Sequence, residues 1–183
     1  MQMMKKLLSI SVAMTICAST ALAETYLEPI GEFDDWVAIK AKDPAECWMT
    51  AIPVRGKTVH ERNGKVVTDV DRGKETLFYV VFRSDGASKD GELSFTGGEY
   101  TFDEDKAFNL SIKGDDYLMI AQNSEGRGWA YPSIEDEKTL ISKFKAGADF
   151  SVTSRSSRGT VSKDVFSLIG FTAAYNATKK ACS

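Results

Sequence analysis

The chain has 183 residues, 43% of them hydrophobic, with 23 basic against 26 acidic side chains and a formal charge of −3. A mildly acidic balance argues against nucleic acid or an anionic membrane surface as partner. The single histidine, His60, would have to carry alone any Ser-His-Asp triad or histidine metal site.

The first residues read MQMMKKLLSISVAMTICASTALAETY. Lys5 and Lys6 precede an apolar run from about Leu7 to Ala18, and Ala21-Leu22-Ala23 supplies a small-x-small cleavage pattern, which predicts a secretory signal peptide over 1–23, removed after Ala23. The run is shorter than the roughly 20 residues of a membrane helix, and Met14-Thr15-Ile16 before Cys17 lacks the small residue of a lipid-attachment site. The expectation is a soluble periplasmic or secreted protein with one domain over 24–183. Loss of Lys5 and Lys6 leaves 21 basic against 26 acidic residues, a formal charge of −5.

With Cys17 gone, Cys47 and Cys182 remain. An oxidising compartment makes a disulfide between them the default, with two unpaired buried thiols as the alternative. Closing so long a loop is worth about 4 to 5 kcal/mol in the chain-entropy model. No CxxC motif is present, so the pair reads as structural.

Short Val, Ile, Phe, Tyr and Trp-rich runs predict strands at 33–40, 47–54, 77–83, 92–96, 108–112, 117–122, 128–131, 150–154 and 160–168. Gly97-Gly98, residues 113–116 and residues 123–126 separate them. Residues 55–76 are polar, and Asn63-Gly64 between Thr58-Val59 and Val66-Val67 predicts a protruding hairpin carrying His60 into solvent. A first helix starts at Ser133, has Glu135, Asp136 and Glu137 in its first turn and Lys143 and Lys145 in its last, and stops by Gly147; Ile134, Leu140, Ile141 and Phe144 form its apolar stripe. A second, over about 170–180, places Phe171, Ala174, Tyr175 and Thr178 on one face, to which Cys182 returns. The fold class is therefore mainly β, an antiparallel sandwich or barrel-like domain with two short helices in the C-terminal half.

No metalloprotease, EF-hand, nucleophile-elbow, P-loop or dinucleotide motif occurs. Ser142-x-x-Lys145 matches the Ser-Lys acyl-transfer spacing but lies at a helix C-terminus, where the dipole opposes an oxyanion. The carboxylates Asp34-Asp35, Asp103-Glu104-Asp105 and Asp115-Asp116 read as turn residues, the second set with weak calcium binding as its functional alternative. No catalytic residue, cofactor or metal ligand is assigned. Trp129 and Tyr131, two apart on one strand, point the same way; they form either core or a stacking platform for sugar or peptide. The stretch RSSRGTVSKDVF, 155–166, is too poor in glycine for a phosphate nest and reads as a turn near 157–159 leading into alternating Val161, Val165, Phe166 and Leu168. Arg155 and Arg158 in it are candidate contacts for an acidic partner.

The closing stretch SSRGTVSKDVFSLIGFTAA, 156–174, followed by Cys182, resembles the signature of the invasion-associated locus B family of exported alphaproteobacterial proteins. Phe33-Asp34-Asp35-Trp36, Cys47-Trp48, LFYVVF at 77–82, Trp129-Ala130 and LISKFKAGADFSV at 140–152 agree in order, so the resemblance spans about 33–182. It implies a small β-rich exported, virulence-associated domain, linked by the family name to host-cell invasion, with no established catalytic activity or cofactor; the leading expectation is a non-enzymatic protein that binds an envelope or host-cell component. Many members carry a further cysteine a few residues after the early tryptophan, a neighbourhood that Lys40 occupies here. The competing expectation is a periplasmic hydrolase or carbohydrate-binding module using the aromatic residues and turn carboxylates.

Overall fold

A computed structural model describes residues 26–42, 45–84, 89–106 and 108–183; the signal-peptide segment, with Cys17, lies outside the described residues. The elements are β1 (Leu27–Phe33), β2 (Trp36–Ala41), β3 (Glu46–Ala51), β4 (Val59–Arg62), β5 (Lys65–Val67), β6 (Leu77–Arg83), β7 (Glu92–Thr96), β8 (Phe108–Ile112), β9 (Asp115–Ser124), β10 (Arg127–Pro132), α1 (Ile134–Lys145), β11 (Asp149–Arg155), β12 (Val161–Ser167) and α2 (Phe171–Ala181). The fold is mainly β, as expected: one sheet of 12 strands in the order β1-β2-β3-β6-β7-β10-β9-β8-β11-β12-β4-β5. No helix among the described residues is long and apolar enough to cross a membrane.

Tight turns set the strand register. Asn63-Gly64, Lys113-Gly114 and Glu125-Gly126 each place two successive residues at positive φ, the geometry that joins twisted antiparallel strands by a two-residue loop. The run expected as one strand over 33–40 is instead a hairpin. Asp34, at φ 51°, turns the chain between β1 and β2, where Phe33 lies opposite Trp36. The polar hairpin of β4 and β5 forms on Asn63-Gly64, but it does not protrude, because Val59, His60 and Glu61 pair with β12.

The sheet folds back on itself around a core of phenylalanines. Phe78 of β6 lies 4.7 Å from Phe150 of β11 and 5.8 Å from Phe166 of β12, although those strands are far apart in the sheet order. Trp36 of β2 donates from its indole to the Ser167 carbonyl of β12 across the same interior, at 3.0 Å. Such offset and edge-on ring pairs add about 0.5–1.5 kcal/mol each beyond the area they bury.

The helices complete this interior. Ser133 caps α1 by accepting the Asp136 N–H at 3.2 Å. Leu140, Ile141 and Phe144 are buried, whereas Ile134, expected in the stripe, is 85% exposed, since the first turn of α1 reaches beyond the edge of the core. On α2 the expected face of Phe171, Ala174, Tyr175 and Thr178 is buried. Gly170, at φ 84°, starts that helix where an added Cβ would fall 1.9 Å from the Phe33 carbonyl oxygen; only glycine allows the end of β1 and the start of α2 to meet so closely.

Candidate functional site

The inward side of β12 departs from an apolar pattern. Ser162, Asp164 and Phe166 point inward, while Val161 and Val165 are only half-buried, so the alternation expected from the valines is shifted by one residue. A carboxylate thus enters the interior. Asp164 is fully buried, and it accepts hydrogen bonds from Arg72 Nη1 and from Thr58 Oγ1, both at 3.0 Å. Arg72 also donates to the Thr76 hydroxyl, which in turn donates to the Gly97 carbonyl at 3.0 Å.

His60 belongs to the same cluster, and its expected exposure is corrected. Pairing of β4 with β12 sets it opposite Ser162, with His60 Nδ1 2.8 Å from Ser162 Oγ and 3.3 Å from Arg72 Nη2. Because guanidinium can only donate, Nδ1 is the acceptor and the ring proton sits on Nε2. This is not a Ser-His-Asp relay: Arg72 stands between the imidazole and Asp164, and among the described residues no carboxylate bonds the ring.

Burial first, and the Arg72 charge second, push His60 below its ordinary value, while Asp164 pulls the other way. Above about pH 6.5 the imidazole is neutral both folded and unfolded. As pH falls below that value the unfolded chain takes up a proton that the folded chain resists, so stability declines with acidification. His60→Asn should flatten this part of the stability-against-pH curve in urea titrations between about pH 5 and 7.

The outer face of the sheet presents the second set of residues. Trp129 is half-buried against Tyr79, ring centroids 5.9 Å apart, and Tyr131 is 37% exposed. Neither is core. Opposite Tyr131 on β9 stands Ile120, 61% exposed, with Leu118, 58% exposed, two residues before it on the same face. Tyr131, Gln122 and Ile134 line an open depression of about 610 Å³ together with Glu92 and Glu137. Both carboxylates are engaged: Glu92 pairs with Arg83, and Glu137 accepts the Leu93 N–H at 3.0 Å, its carboxyl pushed above the usual range mainly by burial.

The remaining candidates divide. Arg155 pairs with Asp103 at 3.3 Å, whereas Arg158 is exposed at the β11–β12 turn. That turn forms as expected, with the Gly159 N–H bonded to the Ser156 carbonyl at 2.8 Å. Glu104 accepts the Asn123 N–H, and Lys143 holds Asp115, so these turn carboxylates serve the fold. Asp34 and Asp35 line a mixed-charge groove of about 870 Å³ with Arg55 and Lys57. Ser142 is exposed on α1, and Lys145 lies over the Tyr175 ring at 3.8 Å. Among the described residues no three His, Cys, Asp or Glu side chains gather as a metal site.

Cys47 and Cys182 meet at the end of α2. Cys47 lies opposite Phe82 in the sheet, and the Cys182 thiol donates to the Phe82 carbonyl at 3.3 Å. Both are free thiols here. Burial, then the hydrogen bond and charge of Cys182, push the Cys47 thiol up to about 12, against a smaller opposing effect of Lys40. Lys40 itself donates to the Ala181 carbonyl at 2.7 Å, placing its charge at the negative end of α2. Compared with protein-family models, curated proteins and solved structures, the chain finds no match.

Proposed function

We propose that the chain is an exported, non-enzymatic protein of the periplasm or cell exterior that works by binding an envelope or host-cell component through the outer face around Tyr131. The observation that carries this reading is the cluster of Leu118, Ile120, Tyr131 and Ile134, large apolar side chains left in solvent on two neighbouring strands and the start of α1. Scattered exposed apolar residues need no explanation, but a contiguous group marks a contact surface. The export signal and the resemblance of 156–174 to the invasion-associated locus B signature support the location and the kind of partner. In that oxidising compartment Cys47 and Cys182 form a disulfide.

The mature protein, residues 24–183, immobilised and exposed to envelope extract and to host membranes, should retain a specific component that the double variant Ile120→Lys, Ile134→Lys does not. Equal recovery on both proteins, or none on either, overturns the assignment of this face.

A second reading rests on the depression itself. Tyr131 beside Gln122, Glu92 and Glu137 offers a ring face flanked by hydrogen-bonding groups, the arrangement of a carbohydrate-binding module. It favours sugar binding over hydrolysis because both carboxylates already have internal partners. In that case soluble oligosaccharides compete for the captured component and Tyr131→Ala abolishes the competition.

A further inference from the structure

A small pocket of about 60 Å³ opens between the end of β4 and the β11–β12 turn, lined by Arg62, Arg158, Tyr100, Ser156 and Thr160 among others. Its rim is cationic. Arg72, Arg83 and Arg155 each have a carboxylate partner, but neither Arg62 nor Arg158 forms an ion pair with any described residue, in a chain with an excess of acid. Asp71 also borders the pocket and is in no ion pair with either arginine; its carboxylate accepts the Gly73 N–H at 2.8 Å.

The floor is made of buried hydroxyls turned into donors. Thr160 Oγ1 accepts from both Nε and Nη2 of Arg62, at 3.0 and 2.7 Å, and Ser156 Oγ accepts the Thr160 N–H at 3.1 Å. Each oxygen therefore spends lone pairs on the protein and keeps its own proton, for which no described residue provides an acceptor. Thr160 is 4% exposed, so its hydroxyl is reached only through this pocket. Buried hydroxyl donors normally find a partner. Against the acceptors in the lining, the Asp71 carboxylate and the Ser162 oxygen whose proton goes to His60, stand two guanidiniums and two hydroxyl donors, a set complementary to a compact anion with several acceptor oxygens.

We propose that this pocket binds a phosphate monoester group, with Arg62 and Arg158 on its charged oxygens and the Thr160 and Ser156 hydroxyls donating from below. The volume, about that of two water molecules in the liquid, admits the phosphoryl group alone and leaves the rest of the ligand outside. The grip is made by side chains rather than by a glycine-rich nest, so the single glycine of the turn does not oppose it. It is independent of the apolar outer face, and its test does not depend on any partner captured there.

Inorganic phosphate and glycerol 3-phosphate titrated calorimetrically into the mature protein at pH 7.5 and low salt should bind saturably, and acetate should bind far more weakly. Losing one charge-assisted contact should weaken phosphate about tenfold or more in Arg158→Gln and in Arg62→Gln. Arg158 is an exposed turn residue, so its replacement leaves the fold intact even if the Arg62 variant is destabilised. Arg127→Gln, elsewhere on the surface, should bind like the parent. No saturable phosphate binding, equal affinity for acetate, or unchanged affinity in Arg158→Gln overturns the proposal.

Discussion

Asp164→Asn is expected to lower the unfolding free energy by about 3–5 kcal/mol, the usual cost of removing one member of a buried ion pair. The carboxylate is fully buried, and it is the only ion-pair partner of Arg72 among the described residues. Asparagine keeps the shape and can still accept from Thr58. Its amide, however, either turns a donor toward the guanidinium or presents a neutral oxygen to it. In both orientations Arg72 keeps a charge, 11% exposed, without a counterion. Thr76 and His60, which share that guanidinium, lose their orientation with it. Replacing both members, Asp164→Leu with Arg72→Met, should cost less than Asp164→Asn alone, because apolar pairs of similar volume often match a buried ion pair. Urea unfolding of the single and double variants at pH 7 measures this. A loss below about 1 kcal/mol for Asp164→Asn, within the range of an exposed pair, would mean that this pair does not hold β12, β4 and the 72–76 segment together.

The same cluster shows where the sequence was legible and where it was not. Strands β6, β7 and β8 and both helices follow from local signals: alternating aromatic and aliphatic residues, glycine turns, and the cap and end charges of α1. These are short-range causes, so a single sequence carries them. The buried pair is different, because Arg72 and Asp164 are 92 positions apart, about half the chain, and are brought together only when the segment after the β4–β5 hairpin closes over β12. One clue was nonetheless present. Thr160, Ser162 and Asp164 recur at strand spacing, and a polar row on one face beside Phe166 signals either an outer face or a buried network. Val161 and Val165 mark the other face of the same strand, and the register buries Ser162, Asp164 and Phe166. Likewise His60 in a polar hairpin looked exposed because nothing local announces the strand that covers it. On the outer face, Trp129 and Tyr131 share one side of β10, and they stay out of the core because phenylalanines from other strands fill it.

Oxidation of the mature protein is expected to raise its stability by about 4 to 5 kcal/mol in the chain-entropy model, since a Cys47–Cys182 bridge closes a loop of well over 100 residues. The geometry removes the usual obstacle. The Cys182 thiol already donates to the carbonyl of Phe82, the residue opposite Cys47, so α2 is seated on β3 and β6 before any bond forms. The reduced pair is chemically unequal. Cys47 is buried with its thiol raised to about 12, hence protonated at neutral pH and a poor nucleophile, whereas Cys182 is partly exposed. The Cys182 thiolate should therefore attack an incoming disulfide oxidant first, breaking its S–S bond and releasing one carrier thiol, after which Cys47 loses its proton as it attacks the Cys182 sulfur and releases the second carrier thiol. Mass measurement after alkylation without reductant should find neither cysteine modified in mature protein purified under oxidising conditions, and Cys182 modified well before Cys47 in reduced protein. Thermal or urea unfolding should show a large loss of stability on reduction in the parent and none in Cys47→Ala. The Cys47→Ala control separates the bridge from any other effect of the reductant. Alkylation of both thiols in the protein purified under oxidising conditions would sink the assignment, and equal stability of oxidised and reduced parent would show that the bridge adds nothing that the seating of α2 does not already supply.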